Sequence, residues 1–323
     1  MRDFIIRRLL LLPIIIIGVS FITFMIFRVI PADAAVFVCQ LQCTPETLHD
    51  IRHELELDRP FYEQYGKWLT GVVQGDLGTS FHTHLTVNTE LERKYPVTLE
   101  LLVLSLLLSL LLGIPAGILS AIRPGSIVDF LVRLISVFWL SIPSFYLAIL
   151  IVTFGASWAG WSPPNFGTGR AVTFIDVLHG GSIVTNLETF LPAALVLSVG
   201  IAAVIMRLTR SSMLEVMRND YIRTAYSKGL RERAVVWRHA LKNAMIPVIT
   251  IVGLQIGGLI GGSILVESVF ALNGIGYYLL SAIVTRDLQV VQSLVLIFAL
   301  AYVIINLIVD VSYAWLDPRI RYG

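Results

Sequence analysis

RLTRSSMLEVMRNDYIRTAYSKGLRERAVVWRHALK, residues Arg207–Lys242, carries nine Lys or Arg against three acids and lies between two strongly apolar stretches. The chain as a whole is 56% hydrophobic and only 14% charged. So long and so basic a connection belongs in water, on the positive, cytoplasmic side of a membrane. It is patterned as well as charged. Tyr221, Ile222, Ala225, Gly229 and Leu230 recur at helical spacing among the basic residues, which predicts short amphipathic helices offering an apolar face to a partner.

Working outward from this segment, six apolar stretches approach or exceed the ~20 residues that a helix needs to cross a ~30 Å hydrocarbon core. They run Leu9–Phe27, Thr98–Ala121, Leu134–Trp158, Leu191–Met206, Ile246–Val266 and Val290–Tyr313. The expected fold class is therefore an all-α integral membrane protein with six transmembrane helices and an external insertion after the first. Arg2, Arg7 and Arg8 precede the first stretch as in a signal peptide, but the stretch is too long for a signal core. It is read as a retained span. The fourth stretch is the shortest, and Pro192 is read as lying in its first turn, where a proline is tolerated.

Charge sets the orientation. The N-terminus, Arg123–Arg133, Arg207–Lys242 and the C-terminus, with Asp310, share sixteen Lys or Arg and seven acids. Residues 28–100, 155–188 and 267–289 share eight and fifteen. The positive-inside rule puts both termini in the cytoplasm. The expected organisation is residues 1–27 as cytoplasmic N-terminus and first helix, 28–97 as external insertion, and 98–323 as a five-helix core containing the cytoplasmic loop 207–245.

On the outer side, a connection as long as Arg28–Val97 implies a small folded insertion. Thr44 as N-cap and Pro45 at the first helical position predict a helix leading into HDIRHELEL, closed by Pro60. Gly155–Glu188, with Trp158, Trp161, Pro163 and Pro164, suits an interfacial loop with aromatic anchors. Cys39 and Cys43 are four residues apart, within disulfide reach across one helical turn, in a compartment that permits oxidation; an oxidised pair and two free thiols are both open. With His49 and His53 they suggest zinc, but the linker from Cys43 to His49 is short for a structural site. His82 and His84 read as a solvated loop. No metal is expected.

Catalytic signatures are missing. There is no GxxxxGK[ST] phosphate cradle, no HExxH helix and no GxSxG elbow, and the spans carry few of the ionisable residues that mark relays or membrane enzymes. The chain is expected to be no enzyme and to bind no cofactor itself. In IPVITIVGLQIGGLIGGSILVE, residues 246–267, Gly253, Gly257 and Gly261 fall four apart and Gly258 and Gly262 repeat the pattern. Such spacing allows close helix packing, or a contact with a second subunit or a gate. Gln255 and Ser263 are the polar residues placed nearest a translocation path.

YIRTAYSKGL (221–230) followed by RHALKNAMIPVIT (238–250) resembles the cytoplasmic motif of permease subunits in binding-protein-dependent ABC importers, of the dipeptide, oligopeptide and nickel group. The resemblance runs nearly the whole chain, through LDRPFYEQYGKWL (57–69), GDLGTSF (75–81), residues 98–121 and residues 291–321. In the family's Glu-Ala-Ala-x-x-x-Gly motif, Arg223, Thr224 and Ala225 occupy the first three places and Gly229 the last. The resemblance implies that Tyr221, Ile222, Ala225, Gly229 and Leu230 form a surface docking an ATPase subunit, with Arg223, Lys228 and Arg231 adding charged contacts. PADAA (31–35), Asn273 and DLQ (287–289) depart from the family pattern, all on the outer side.

The implied function is one half of the path of an ATP-driven importer, for di- or oligopeptides, with nickel or oligosaccharide as alternative cargo. The implied partners are a second homologous permease, two ATPase subunits holding ATP and Mg, an extracytoplasmic solute-binding protein and membrane lipid, but no nucleic acid. The implied location is a bacterial or archaeal plasma membrane. A passive channel would conduct without such a docking loop.

Overall fold

The protein is described here in a computed structural model, over residues 2–29, 44–54, 58–165 and 170–316. The described residues form helices α1 (Arg2–Val29), α2 (Pro45–Glu54), α3 (Phe61–Val73), α4 (Val87–Ile122), α5 (Ile127–Ser141), α6 (Ser144–Ala159), α7 (Phe174–Leu178), α8 (Ile183–Met217), α9 (Asp220–Ser227), α10 (Glu232–Val269), α11 (Ile275–Thr285) and α12 (Leu288–Leu316). One isolated bridge, Thr79 to Thr86, is the only β pairing among the described residues. Five of the six apolar stretches lie within single helices, and the third is divided between α5 and α6. Four helices (α4, α8, α10 and α12 through Val309) are long and apolar enough to cross a membrane, and α5 with α6 makes a fifth if that bent pair is one span. The apolar part of α1, Leu10–Met25, is shorter.

The third stretch is corrected. Where one span was expected over Leu134–Trp158, α5 and α6 meet at 94°. Pro143 cannot donate to a helical ladder, and it pushes Ile142 to φ −99°, ψ 120°, outside the helical region. The fourth stretch is corrected too. Its helix begins at the Ser182 N-cap, whose hydroxyl accepts the Thr185 N–H, so Pro192 lies inside α8 rather than in its first turn. An interior proline survives in a membrane helix where neighbours satisfy the freed carbonyl. Pro60 likewise precedes α3 as its N-cap instead of closing α2, whereas Thr44 caps α2 as expected by accepting the Thr47 N–H.

The chain forms two compact units. The first joins Met1–Pro96 to Asn273–Ile304. Its α3 sets Tyr65 and Trp68 against Phe21 and Phe24 of α1, with ring centroids 5.4–6.1 Å apart, and Ser20 and Tyr65 share a hydrogen bond. The GDLGTSF turn packs on the start of α12. Ser80 donates to Asp287 at 2.6 Å and Ser293 to the Leu77 carbonyl at 2.7 Å. Gly78 has φ +86°, and a Cβ there would fall 2.1 Å from the Gln289 amide. Only glycine fits.

The second unit joins Val97–Leu272 to Ile305–Gly323. Its axis is α8, whose Phe190, Ala193, Ala194, Leu197, Ile201 and Ile205 enter one core with Leu101, Val248 and Leu259. Lipid tails are as apolar as leucine, so such helices associate through close packing rather than water exclusion. Gly113 and Gly117 of α4 supply it: a Cβ on either would lie 2.7 Å from Ile205 or 2.6 Å from Thr209 of α8. In the loop after α6, Glu100 of α4 accepts the Phe174 N–H and the Asn186 amide, both at 2.6 Å. Thr173 and Asp176 cap α7 reciprocally.

Candidate coupling site

The basic segment is shorter as a loop than as a sequence. Nothing from Ile201 to Lys228 is proline or glycine, so α8 continues past the apolar stretch to Met217, and α10 already begins at Glu232. What remains is α9 and two turns. Asn219 precedes α9 in an extended conformation without a side-chain capping bond. At the other end Gly229 takes φ +77°, the Gly229 N–H donates to the Tyr226 carbonyl at 2.9 Å, and the Leu230 N–H donates to that of Ala225 at 3.4 Å. This is the Schellman stop that glycine favours after a helix. Nothing lies within 4 Å of a Cβ built on Gly229, so φ alone sets the residue requirement.

One part of the expected docking surface is corrected. Ile222 is fully buried and Ala225 nearly so, in a cluster with Ile118 and Ala121 of α4, Met213 of α8 and Val235, Val236, Ala240 and Ala244 of α10. These two residues anchor α9 on its own chain. A three-apart pair on one helix covers a single stripe, and here that stripe faces inward. The opposite face is open: Tyr221, Arg223, Thr224, Lys228, Gly229, Leu230 and Arg231 are exposed. Tyr226, which the sequence reading left out, is exposed with them. Its signal was its place one residue past Ala225, on the polar side of the stripe.

Further contacts fix the anchor. Asn243 donates to the Tyr221 hydroxyl at 2.8 Å across 22 residues of sequence, a contact that no local pattern announces. Residues Val235–Ala240 of α10 form a wide π turn that buries Val235, Val236 and Ala240 and leaves Trp237 exposed. Such turns interrupt α-helices mostly at functional places.

The candidate path residues separate by environment. Gly253 packs inward, where a Cβ would meet Val309 at 2.3 Å, and Gly262 faces Leu197. Ser263 is buried and donates to the Ile260 carbonyl at 2.9 Å, so its hydroxyl is spent within its own helix. Gly258 and Gly261 face open space, and Gly257 is half-buried. Gln255, Gly258 and Gly262 line a cleft of about 300 Å³ with Trp139, Leu140 and Ile142 at the α5–α6 break. Cys39 and Cys43 lie outside the described residues. Among the described residues no group of His, Cys, Asp and Glu could hold a metal.

Comparison with known proteins agrees with this architecture. Residues 113–322 match the family described as binding-protein-dependent transport system inner membrane component, and residues 1–102 match the N-terminal model of such membrane components. The dipeptide transport system permease protein DppB of Alkalihalophilus pseudofirmus is 38% identical over 98% of this chain and 98% of its own length. The di/tripeptide transport system permease protein DppB of Pseudomonas aeruginosa is 37% identical over 100% and 99%. The dipeptide permease DppB of Escherichia coli K12 is 36% identical over 100% and 99%. Among solved structures, a chain of the MetNI methionine ABC transporter in an inward-facing form superposes with a TM-score of 0.55 at 19% identity, covering 70% of this chain and 96% of that one; this likeness shows the fold. With both family models matched along most of its length, the chain belongs to the binding-protein-dependent transport system inner membrane components, the multi-pass permeases of ABC importers.

Proposed function

We propose that this chain forms half of the translocation path of an ATP-driven importer of di- or oligopeptides in a bacterial inner membrane, with both termini in the cytoplasm. The observation that carries the coupling is the two-faced α9. One face is locked into its own chain by Ile222 and Ala225, and the other presents Tyr221, Arg223, Lys228, Leu230 and Arg231. A helix anchored this way transmits force from whatever holds its open face. ATP and Mg sit on a pair of separate ATPase subunits, and this chain binds neither. When the ATPases close, the helices tilt as near-rigid bodies between inward-open and outward-open states. A second, homologous permease completes the path, and an extracytoplasmic binding protein delivers the solute to the side bearing residues 28–97. Peptide as solute is supported by the names of the full-length relatives. The Gln255, Gly258 and Gly262 cleft lies on the path.

The test is to purify the tagged chain in mild detergent, identify its companions by mass spectrometry and assay ATP hydrolysis. A second permease, ATPases and a binding protein are the expected companions, and the binding protein is then screened with peptides. A stable chain that purifies alone without ATPase activity would sink the reading.

A further inference from the structure

Asp129 in the first turn of α5 is 1% exposed. Its carboxylate accepts Nε of Arg210 at 2.6 Å and Nη2 at 3.0 Å, the Ser120 hydroxyl at 2.5 Å and the Gly125 N–H at 3.0 Å, with Arg133 Nε at 3.5 Å. Donors from α4, the turn after it, α5 and α8 thus converge on one carboxylate. A buried ion pair gives little net stability over apolar residues of the same volume. What a two-pronged guanidinium–carboxylate contact adds is fixed geometry.

Its position gives that geometry a use. Arg210 stands one turn before Met213 on α8, and Ser120 stands between Ile118 and Ala121 on α4. Met213, Ile118 and Ala121 are walls of the socket that holds Ile222 and Ala225 of α9. The carboxylate and the socket therefore share the same ends of the same two helices, which Gly117 lets touch without room for a Cβ. From Asp129, α5 runs about three helical turns to its end at Ser141, just before the break at Pro143, where Trp139, Leu140 and Ile142 line the cleft with Gln255, Gly258 and Gly262.

We propose that Asp129 and Arg210 are a positioning pair that makes α5 follow the coupling helix, so that a displacement of α9 reaches the cleft at the α5–α6 break. This rests on the ATP-driven reading above. The pair touches neither nucleotide nor solute. It acts by fixing α5 to the socket of α9.

The assembled transporter, reconstituted in proteoliposomes, is assayed for ATP hydrolysis and for uptake of radiolabelled alanyl-alanine. The stimulation of hydrolysis by its binding protein is a second readout that needs no knowledge of the solute. Arg210→Lys keeps the charge and removes the two-pronged contact. The double variant Asp129→Asn with Arg210→Gln removes both charges and leaves no buried ion alone. In both, assembly and unstimulated hydrolysis stay within about twofold of wild type, while binding-protein stimulation and uptake per ATP fall about tenfold or more, the scale of a typical coupling between sites. A pair that only held the fold together would lower assembly, hydrolysis and uptake in proportion, and that result overturns the proposal. Full recovery of coupling in the double variant also overturns it, because the pair would then act through charge balance alone. A wild-type assembly without ATP hydrolysis removes the ATP-driven reading and this proposal with it, and is recognised before any variant is measured.

Discussion

The two short helices α7 and α9 are alike in length class and opposite in how their polar groups are used. In α7, Thr173 and Asp176 exchange both capping bonds, Arg170 reaches Asp176 at 2.7 Å, and Glu100 takes the Phe174 N–H. In α9, Asn219 makes no capping bond, and Arg223 meets Asp220 only at 3.5 Å with both side chains in solvent, a contact of little worth. Lys228 and Arg231 have no acid partner among the described residues. So α7 is closed on itself, while α9 keeps one closed face and one open, cationic face. A helix with unspent polar groups over a locked base is suited to a partner in a way that a self-satisfied helix is not.

The largest way to break this contrast is to unlock the base. Ile222→Asp puts an unpaired carboxylate into a fully buried site, at a cost of about 3 kcal/mol or more. α9 then leaves its socket, and trypsin cleaves after Arg218 and Arg223 faster in inside-out membranes; unchanged cleavage would mean that Ile222 does not hold the helix. Next comes the open face. Any side chain at Gly229 meets φ +77°, a strain of about 1–2 kcal/mol, so Gly229→Ala and Gly229→Arg should insert about equally. Only the arginine variant should lose the copurifying ATPase and uptake, and equal losses in both would assign the effect to backbone strain.

Smaller effects test the closed helix. Thr173→Ala removes the α7 cap at a cost of about 1 kcal/mol. It should speed hydrogen exchange at residues 174–178 and leave ATPase copurification untouched; a coupling defect there would erase the difference between the helices. The smallest is a pH effect. The Thr173 hydroxyl and N–H, and then Arg170, hold the Asp176 carboxyl below the usual carboxylate range against the opposing effect of burial. A depressed carboxyl stabilises the fold fully above its unfolded pKa and loses that contribution as pH falls through the folded value. Protection at residues 174–178, the exchange rate corrected for the intrinsic rate at each pH, should therefore stay flat at neutral pH and fall only in acid below the ordinary aspartate range, with Asp176→Asn abolishing the dependence.

These helices also mark how far the sequence could be read. Five of the six apolar stretches, the Thr44–Pro45 helix start and the amphipathic α9 are local signals, and each lies in a helix as its pattern predicts. The inward turn of Ile222 and Ala225 was not legible. A stripe on a helix says that one face is covered, not whether the cover is the same chain or another. Pro143 breaks its span while Pro192 and Pro247 remain inside continuous helices, because the outcome depends on what satisfies the freed backbone nearby. Asp129 and Arg210 are 81 residues apart, and in one dimension they looked like ordinary members of two basic connections.

The close fit of Gly113 and Gly117 on α8 has a consequence in time. Ile205 follows Gly113 by 92 residues, and synthesis at ~5–20 residues per second leaves about 5–20 s between their emergence from the ribosome. During that interval the side of α4 that bears Gly113 and Gly117 waits without the helix that fits it. A bulkier residue at Gly113 or Gly117 would close the berth before its helix arrives.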